Sequence, residues 1–382
     1  MRKWPLCLSV LFLTSCSWFN RDLWSAYDAL PLEVETLENT GNQWIYDYFP
    51  LIDGSYLMSR RTEETYYTER CNGENDSILF SFPLSSYRLQ GAILANDSVY
   101  MLAADYETYP HVDNPYKLMK LDYVTMEVEK EIFFNIENQN GISISLIYEE
   151  EYVVLVCRGD TTFIMEFTYN LDWVATYDFE VTENQERGHA LQPLSTDSKN
   201  FDTPHGLYFI FEQSLFHKVG QTVTQLPYAY VSSILGYENQ QLTFLQYDYS
   251  THNDAEHFYV GRITLNQDDQ ELSSERLLSI ENPYLEGSHN KNNSSLMGFT
   301  LFEGDLYIIG YRSVGTYFSR LLDFGVLRLD LDTLDVATYF KSGENATTDF
   351  LLYYNGHFAY YSEFGETEER TLRQINFRVS ST

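Results

Sequence analysis

The stretch GFTLFEGDLYIIGY at residues 298–311 decides how the rest of the chain is read. An apolar run meets Glu303-Gly304, and a second apolar run of Leu, Tyr and Ile follows at once. Two strand-like runs separated by two turn-forming residues are the signature of a tight hairpin. The same unit stands at 350–361 as FLLYYNGHFAYY, with Asn355-Gly356 supplying the residues that tolerate positive φ. Working back along the chain, it recurs as WIYDYFPLIDGSYLM from Trp44, AILANDSVYMLA from Ala92 and SLIYEEEYVVLV from Ser145. TPHGLYFIF from Thr203 and ILGYENQQLTFLQY from Ile234 complete the series. Asp53-Gly54 is another favourable turn pair, whereas a turn at Glu149-Glu150 departs from the usual composition.

A second, more polar hairpin follows several of these. It appears as KLMKLDYVTMEVEKEIFF from Lys117, FIMEFTYNLDWVATYDF from Phe163, FYVGRITLNQDDQELSSERLL from Phe258 and GVLRLDLDTLDVATYF from Gly325. Two hairpins per unit and a spacing of roughly 50 residues match the period of four-stranded propeller blades. The alternating strand, Asp-containing turn and alternating strand around Leu329-Asp330-Leu331-Asp332-Thr333 resemble the second hairpin of quinoprotein-like and YVTN-like β-propellers. That resemblance runs from about Pro31 onward and implies a fold; it brings no catalytic residues with it. Paired hairpins repeated in this way favour a propeller over a sandwich or a β-helix.

The expected fold is therefore an all-β propeller of seven four-stranded blades. Six or eight remain open, because the fourth unit looks short and irregular. The last unit has one strand, near residues 371–379, after its hairpin, and residues 32–37 alternate with no hairpin of their own. Pairing these two orphans would complete the last blade and remove two open edges.

The chain opens with Arg2-Lys3, an apolar run over 4–13, and Leu13-Thr14-Ser15-Cys16. A basic start, a short apolar region and small residues before a cleavage point describe a secretory signal. Leu13-Thr14-Ser15-Cys16 resembles the lipobox of bacterial lipoproteins, which implies acylation of Cys16, loss of residues 1–15 and a bilayer as partner. The expected organisation is a signal peptide over 1–15, an anchor and linker over 16–30 and a single propeller over 31–382. By the same resemblance the mature protein is lipid-anchored in the cell envelope, and Ser17 favours the outer membrane in a Gram-negative cell.

Charge restricts the partners. The chain has 24 Lys+Arg against 56 Asp+Glu, a net charge of −32; losing Arg2 and Lys3 leaves 22 cations and −34. Such a surface repels phosphates, so nucleic acid is not expected as a partner. Anionic headgroups are disfavoured for the same reason, and attachment rests on the acyl chains.

The long polar segments at 60–75, 104–115, 180–200, 248–256, 281–294, 312–322 and 363–369 all fall where second strands join third strands, or where one blade joins the next. One end of the propeller therefore collects them, and binding residues concentrate in such loops. Candidate ligand-binding residues there are His111, Asp113, Asp248, His252, Asp254, His257 and His289, with the aromatic surfaces of Tyr66, Tyr106 and Tyr249. Residues 248–257 alone hold two His and three carboxylates. His252, Asp254 and His257 are the candidate ligands for Ca²⁺ or a transition metal, although their spacing fits no established zinc signature. No GxSxG elbow, Walker loop or dinucleotide fingerprint is present. The expected function is binding or scaffolding, with an envelope protein, peptide or glycan as ligand. The alternative is a metal-assisted lyase or hydrolase acting on extracellular polymers. Cys71, read as part of a polar loop, and Cys157, read as the end of a buried strand, belong to non-neighbouring blades and are expected to stay unbridged.

The lipobox gives a direct prediction. Intact mass of the membrane-extracted protein should show a chain beginning at Cys16 with added acyl mass, and Cys16→Ser should abolish both cleavage and acylation without changing the melting temperature. A mature N-terminus elsewhere, or an unmodified Cys16, contradicts the assignment.

Overall fold

A computed structural model describes residues 30–36 except 32, 44–61 except 52 and 54, 65–72, 78–105, 116–136, 143–149 and 151–182. Beyond these it describes 200–249 except 205, 255–266, 271–281, 294–302, 305–316, 319–345, 351–354, 357–363 and 370–376. Signal segment, Cys16 and linker up to residue 29 lie outside them.

Among the described residues the regular elements are strands, and they form seven sheets. Sheets I to V take residues 44–85, 87–134, 143–178, 200–229 and 231–281, each as a four-stranded antiparallel meander. Sheet VI takes 294–345 and has a fifth strand, Leu30–Pro31, parallel to Val336–Asn345. Sheet VII takes Leu351–Tyr354, His357–Glu363 and Arg370–Asn376, with Glu33–Thr36 antiparallel to Arg370–Asn376. First strands neighbour first strands from sheet I to sheet V, and Leu351–Tyr354 lies beside Trp44–Pro50.

The core explains the apolar runs. Side chains on a strand alternate between its faces. In Ser98–Asp105, Val99, Met101 and Ala103 join a cluster with Leu57, Tyr66 and Leu84 of sheet I. The alternate residues Tyr100, Leu102 and Ala104 join Leu146, Val153, Leu155 and Cys157 of sheet III. Tyr152–Arg158 divides in the same way, with Val154 and Val156 packing on Leu207, Phe209 and Phe216 of sheet IV. Second strands are thus buried on both faces and need no polar alternation. Close packing also dictates Gly261, where a Cβ would meet the Phe244 ring at 2.7 Å.

The hairpins read from the sequence are the ones that form, with one shift: the turn in sheet III is Glu150-Glu151, between Ser143–Glu149 and Tyr152–Arg158. Asn96 and Asp97 both carry positive φ, as a two-residue hairpin of primed type requires. Sheet IV is a complete four-stranded sheet, because SLFHKV and TVTQLPYA supply its third and fourth strands, with a register shift between Ser214 and Phe216. Two expected loops are strands. Within 60–75, Tyr66–Cys71 is the third strand of sheet I, so Cys71 is a fully buried strand residue. Within 312–322, Asp305–Thr316 and Ser319–Asp330 form one long hairpin. Cys71 and Cys157 are both buried and form no disulfide, and burial pushes the Cys157 thiol up to about 12.

The Asp-containing turns share one construction. Asp122 Oδ1 accepts from the backbone N–H groups of Val124 and Thr125, and Asp330 Oδ1 from those of Asp332 and Thr333. Thr125 and Thr333 then accept from the N–H groups of Glu127 and Asp335, while Met126 and Leu334 take positive φ. Thr168 plays the Asp role in sheet III, with Leu171 at positive φ. Backbone donors, from Thr125 and Thr333 foremost, hold both Asp carboxyls below the usual carboxylate range. A depressed folded-state pKa contributes stability that is present above the unfolded value of about 3.9 and is lost as pH falls through the folded value. The double substitution Asp122→Ala, Asp330→Ala should therefore lower the melting temperature at pH 7 and flatten its fall between pH 5 and pH 2; an unchanged acid limb would contradict this account.

Candidate functional site

Most of the sequence-predicted ligand residues (His111, Asp113, Tyr106, His252, Asp254 and His289) lie outside the described residues. The others are in strands. Tyr66, expected in a loop, opens the third strand of sheet I and is 5% exposed, packed in the core shared with sheet II. It offers no binding surface. Asp248 and Tyr249 end Gln241–Tyr249, and His257 lies in Ala255–Leu265, so 248–256 is a strand hairpin with a connection of 250–254. Asp248 pairs with His257, Tyr249 with Ala255, and His257 with Glu281 of the fourth strand. Three ligand-type residues thus share one row of sheet V. Among the described residues no group of three or more His, Cys, Asp or Glu is gathered to hold a metal ion.

The longest connections are 179–199, 282–293 and 106–115, with 135–142 and 37–43 behind them. All join second to third strands, or one sheet to the next. The opposite end carries the turns within hairpins, mostly of two to five residues.

Polar chemistry missed in the sequence lies near those short turns, where neighbouring sheets meet. Lys218, in Ser214–Val219 of sheet IV, is 2% exposed. Its Nζ donates to Glu149 Oε2 at 2.6 Å and stands 2.9 Å from Glu166 Oε1, both on sheet III. Tyr177 O–H also donates to Glu166, at 2.7 Å. Burial pushes the Glu149 carboxyl up against the opposing pull of Lys218. Burial and then the bond to Glu166 push the Tyr177 hydroxyl up, so it stays a donor at neutral pH.

A second junction joins sheets I and II. Arg70, 5% exposed, donates to Asp53 Oδ2 at 2.8 Å and to Ser55 Oγ at 3.1 Å. Its guanidinium lies 4.0 Å over the Tyr123 ring and donates to the Tyr123 carbonyl, while the Tyr123 hydroxyl donates to Asp53. Burial raises the Asp53 pKa, but the bonds from Tyr123 and Ser55 outweigh it and hold the carboxyl low. Sheets II and III are joined by Lys130 to Asp172 at 2.6 Å. On the long-connection side, Arg158 of sheet III pairs with Glu212 of sheet IV. These groups hold sheets to one another, and nothing in their geometry presents a nucleophile to a substrate.

No family model matches the chain, and no curated protein matches its sequence. The fold is that of solved β-propellers. The β-propeller domain of Cps50 (Swd1) from Myceliophteria thermophila aligns over 90% of this chain and 99% of its own, with 9% identity and a TM-score of 0.51. A member of the DUF4221 family from Bacteroides vulgatus aligns over 92% and 99%, with 12% identity and a TM-score of 0.42. The WD40 domain of SCAP from fission yeast aligns over 90% and 86%, with 10% identity and a TM-score of 0.42. At such identities the likeness is one of fold.

Lys218 provides the sharpest test of the sheet junctions. Lys218→Met leaves two mostly buried carboxylates facing each other without a cation, and removing one partner of a buried ion pair costs about 3–5 kcal/mol. Without the cation, burial and the neighbouring Glu166 push the Glu149 carboxyl up unopposed. A raised carboxyl pKa weakens the fold above that value and ceases to do so below it. The variant should thus regain part of its deficit in chemical denaturation as pH falls from 7 to 5. A loss below 1 kcal/mol, or one independent of pH, would contradict the assignment.

Proposed function

We propose that this chain is an exported, lipid-anchored binding or scaffold module of the cell envelope. Its frame is a seven-bladed propeller whose ring is closed by residues 33–36 on the last blade. The pairing of Glu33–Thr36 with Arg370–Asn376, and the place of Leu351–Tyr354 beside Trp44–Pro50, support that closure. The anchor is acylated Cys16, and the ligand is an envelope protein, peptide or glycan held at the long-connection end.

The one-sided distribution of connections carries the proposal. Residues 106–115, 179–199 and 282–293 emerge at the end opposite the tight hairpin turns, and long loops on a rigid frame are where recognition concentrates. Photo-crosslinking in the native envelope tests it. A benzophenone amino acid at His111, His252 or His289 should yield discrete adducts, and the same group at Asn239 or Asp332 should not. Labelling at Asn239 and Asp332 equal to that at the long connections, or none from the long connections, would sink the assignment.

The cluster of two His and three carboxylates over 248–257, whose Asp248 and His257 are register partners, supports a second reading, a metal-assisted lyase or hydrolase using Ca²⁺ or a transition metal. In that case protein purified without chelators carries stoichiometric metal that His257→Ala removes. Metal-free protein excludes it.

A further inference from the structure

The exposed apolar side chains are not scattered. Among the described residues eight large apolar side chains are exposed, and all but Phe133 gather at one place in the fold. Ile78 and Leu79 begin the fourth strand of sheet I. Val124 lies in the turn before the fourth strand of sheet II, and Val128 begins that strand. Trp173 and Val174 begin the fourth strand of sheet III, and Val219 ends the third strand of sheet IV. Each position lies at the short-turn end, on the outer rim, of four consecutive sheets.

The sheet junctions tie the chain neighbours of these positions together across successive sheets. Arg70, beside Cys71 whose register partner is Ile78, holds Tyr123 next to Val124. Lys130, two residues beyond Val128, pairs with Asp172 next to Trp173. Lys218, next to Val219, stands 2.9 Å from Glu166, whose register partner Ala175 follows Val174. Trp173 is 65% exposed, yet its indole N–H donates to Thr176 Oγ1 at 3.1 Å, so the ring is held in place for contact. Exposed apolar side chains gathered about sheet junctions in this way mark an interaction surface.

Charge decides what fits it. Asp97, Glu127 and Glu151 are exposed in the hairpin turns of this end. The nearby lysines are taken: Lys120 pairs with Glu129 at 2.8 Å and Lys130 with Asp172. The sequence between the strands at this end holds many Asp and Glu and no Lys or Arg. We propose that this belt docks a cationic, amphipathic polypeptide segment, whose apolar face covers Val128 and Trp173 and whose Lys or Arg residues meet the surrounding carboxylates. Anionic lipid fails on charge, and an acidic or uncharged apolar segment leaves the carboxylates unmatched. The surface lies at the opposite end from the long connections, so this inference stands or falls apart from the preceding proposal.

The test uses full-length protein in phosphatidylcholine nanodiscs, with empty discs as blank, and a fluorescent amphipathic Lys/Leu peptide of 14 residues as probe. Wild type should bind it, and binding should weaken markedly between 0.05 and 0.5 M salt as screening predicts. Val128→Ser with Trp173→Ser should weaken binding at least tenfold at an unchanged melting temperature. Glu127→Lys with Glu151→Lys, which leaves the apolar belt intact, should do the same. Four results would overturn the proposal: no binding by wild type, full binding by either variant, equal binding of the Glu/Leu counterpart, or quenching by brominated lipid that Trp173→Phe abolishes. The last would assign the belt to the bilayer instead.

Discussion

The fold depends on second strands such as Ser98–Asp105 and Tyr152–Arg158 being buried on both faces. Tyr100 and Val99 are chain neighbours that belong to different cores, one shared with sheet III and the other with sheet I. Val153 and Val154 divide between sheets II and IV in the same manner. A sheet placed between two others in this way cannot be stable alone, since both of its apolar faces would meet water. Stability therefore comes from adjacency, and the chain order of the sheets becomes their spatial order. Deleting one buried aliphatic side chain, such as Leu155, would open a cavity felt by two sheets at once, at a cost of about 2–5 kcal/mol.

Apolar packing weakens where the third strands approach the hairpin turns, and charge takes over there. A chain with 24 Lys+Arg against 56 Asp+Glu places its few cations at these seams. Arg70 meets Asp53 and Tyr123, Lys130 meets Asp172, and Lys218 meets Glu149 and Glu166. Lys218 stands between two carboxylates that would otherwise repel one another, and Arg70 and Lys130 each tie one carboxylate of a neighbouring turn. One consequence is electrostatic: with its cations already engaged, this end of the molecule faces solvent as an acidic rim.

The sequence made the fold legible where the structural rule is local. The two-residue turns, the doubly buried runs such as VYMLA and YVVLV, and the Asp-x-x-Thr turns at Asp122 and Asp330 each act within one hairpin. Their residues therefore carry their own explanation. Long-range partners were not legible. Thr68-Glu69-Arg70 looks like a solvated loop, yet it is buried strand, because Asp53 and Tyr123 receive the Arg70 guanidinium from 17 and 53 positions away. Lys218 in SLFHKV looks like an exposed edge residue until Glu149, 69 positions earlier, is brought beside it. Arg312 and Ser313 suggested a loop, but they pair with Asp323 and Leu322 in a hairpin longer than the blade repeat implied. For the candidate site, only the pairing of Asp248 with His257 adds geometry to the sequence pattern, and Tyr66 is removed from it by burial.

The two ends of the molecule follow from different physics. At the short-turn end, side-chain and backbone hydrogen bonds inside each turn fix the chain locally. The surface there is as rigid as the strands that support it. At the other end, connections lie between hairpins or between sheets and can vary in length without disturbing a tight turn. Rigid presentation matters for an apolar contact surface, because little conformational entropy is then lost when a partner covers it. Core packing makes no use of the belt: Trp173, at 65% exposed, and Val124, at 69%, bury little against their own sheets. Polar residues would serve equally well at those positions if folding alone set the requirement. The acidic rim keeps such a belt from binding another copy of itself, since like-charged turns would meet across the contact, and it leaves the belt open to a partner of opposite sign.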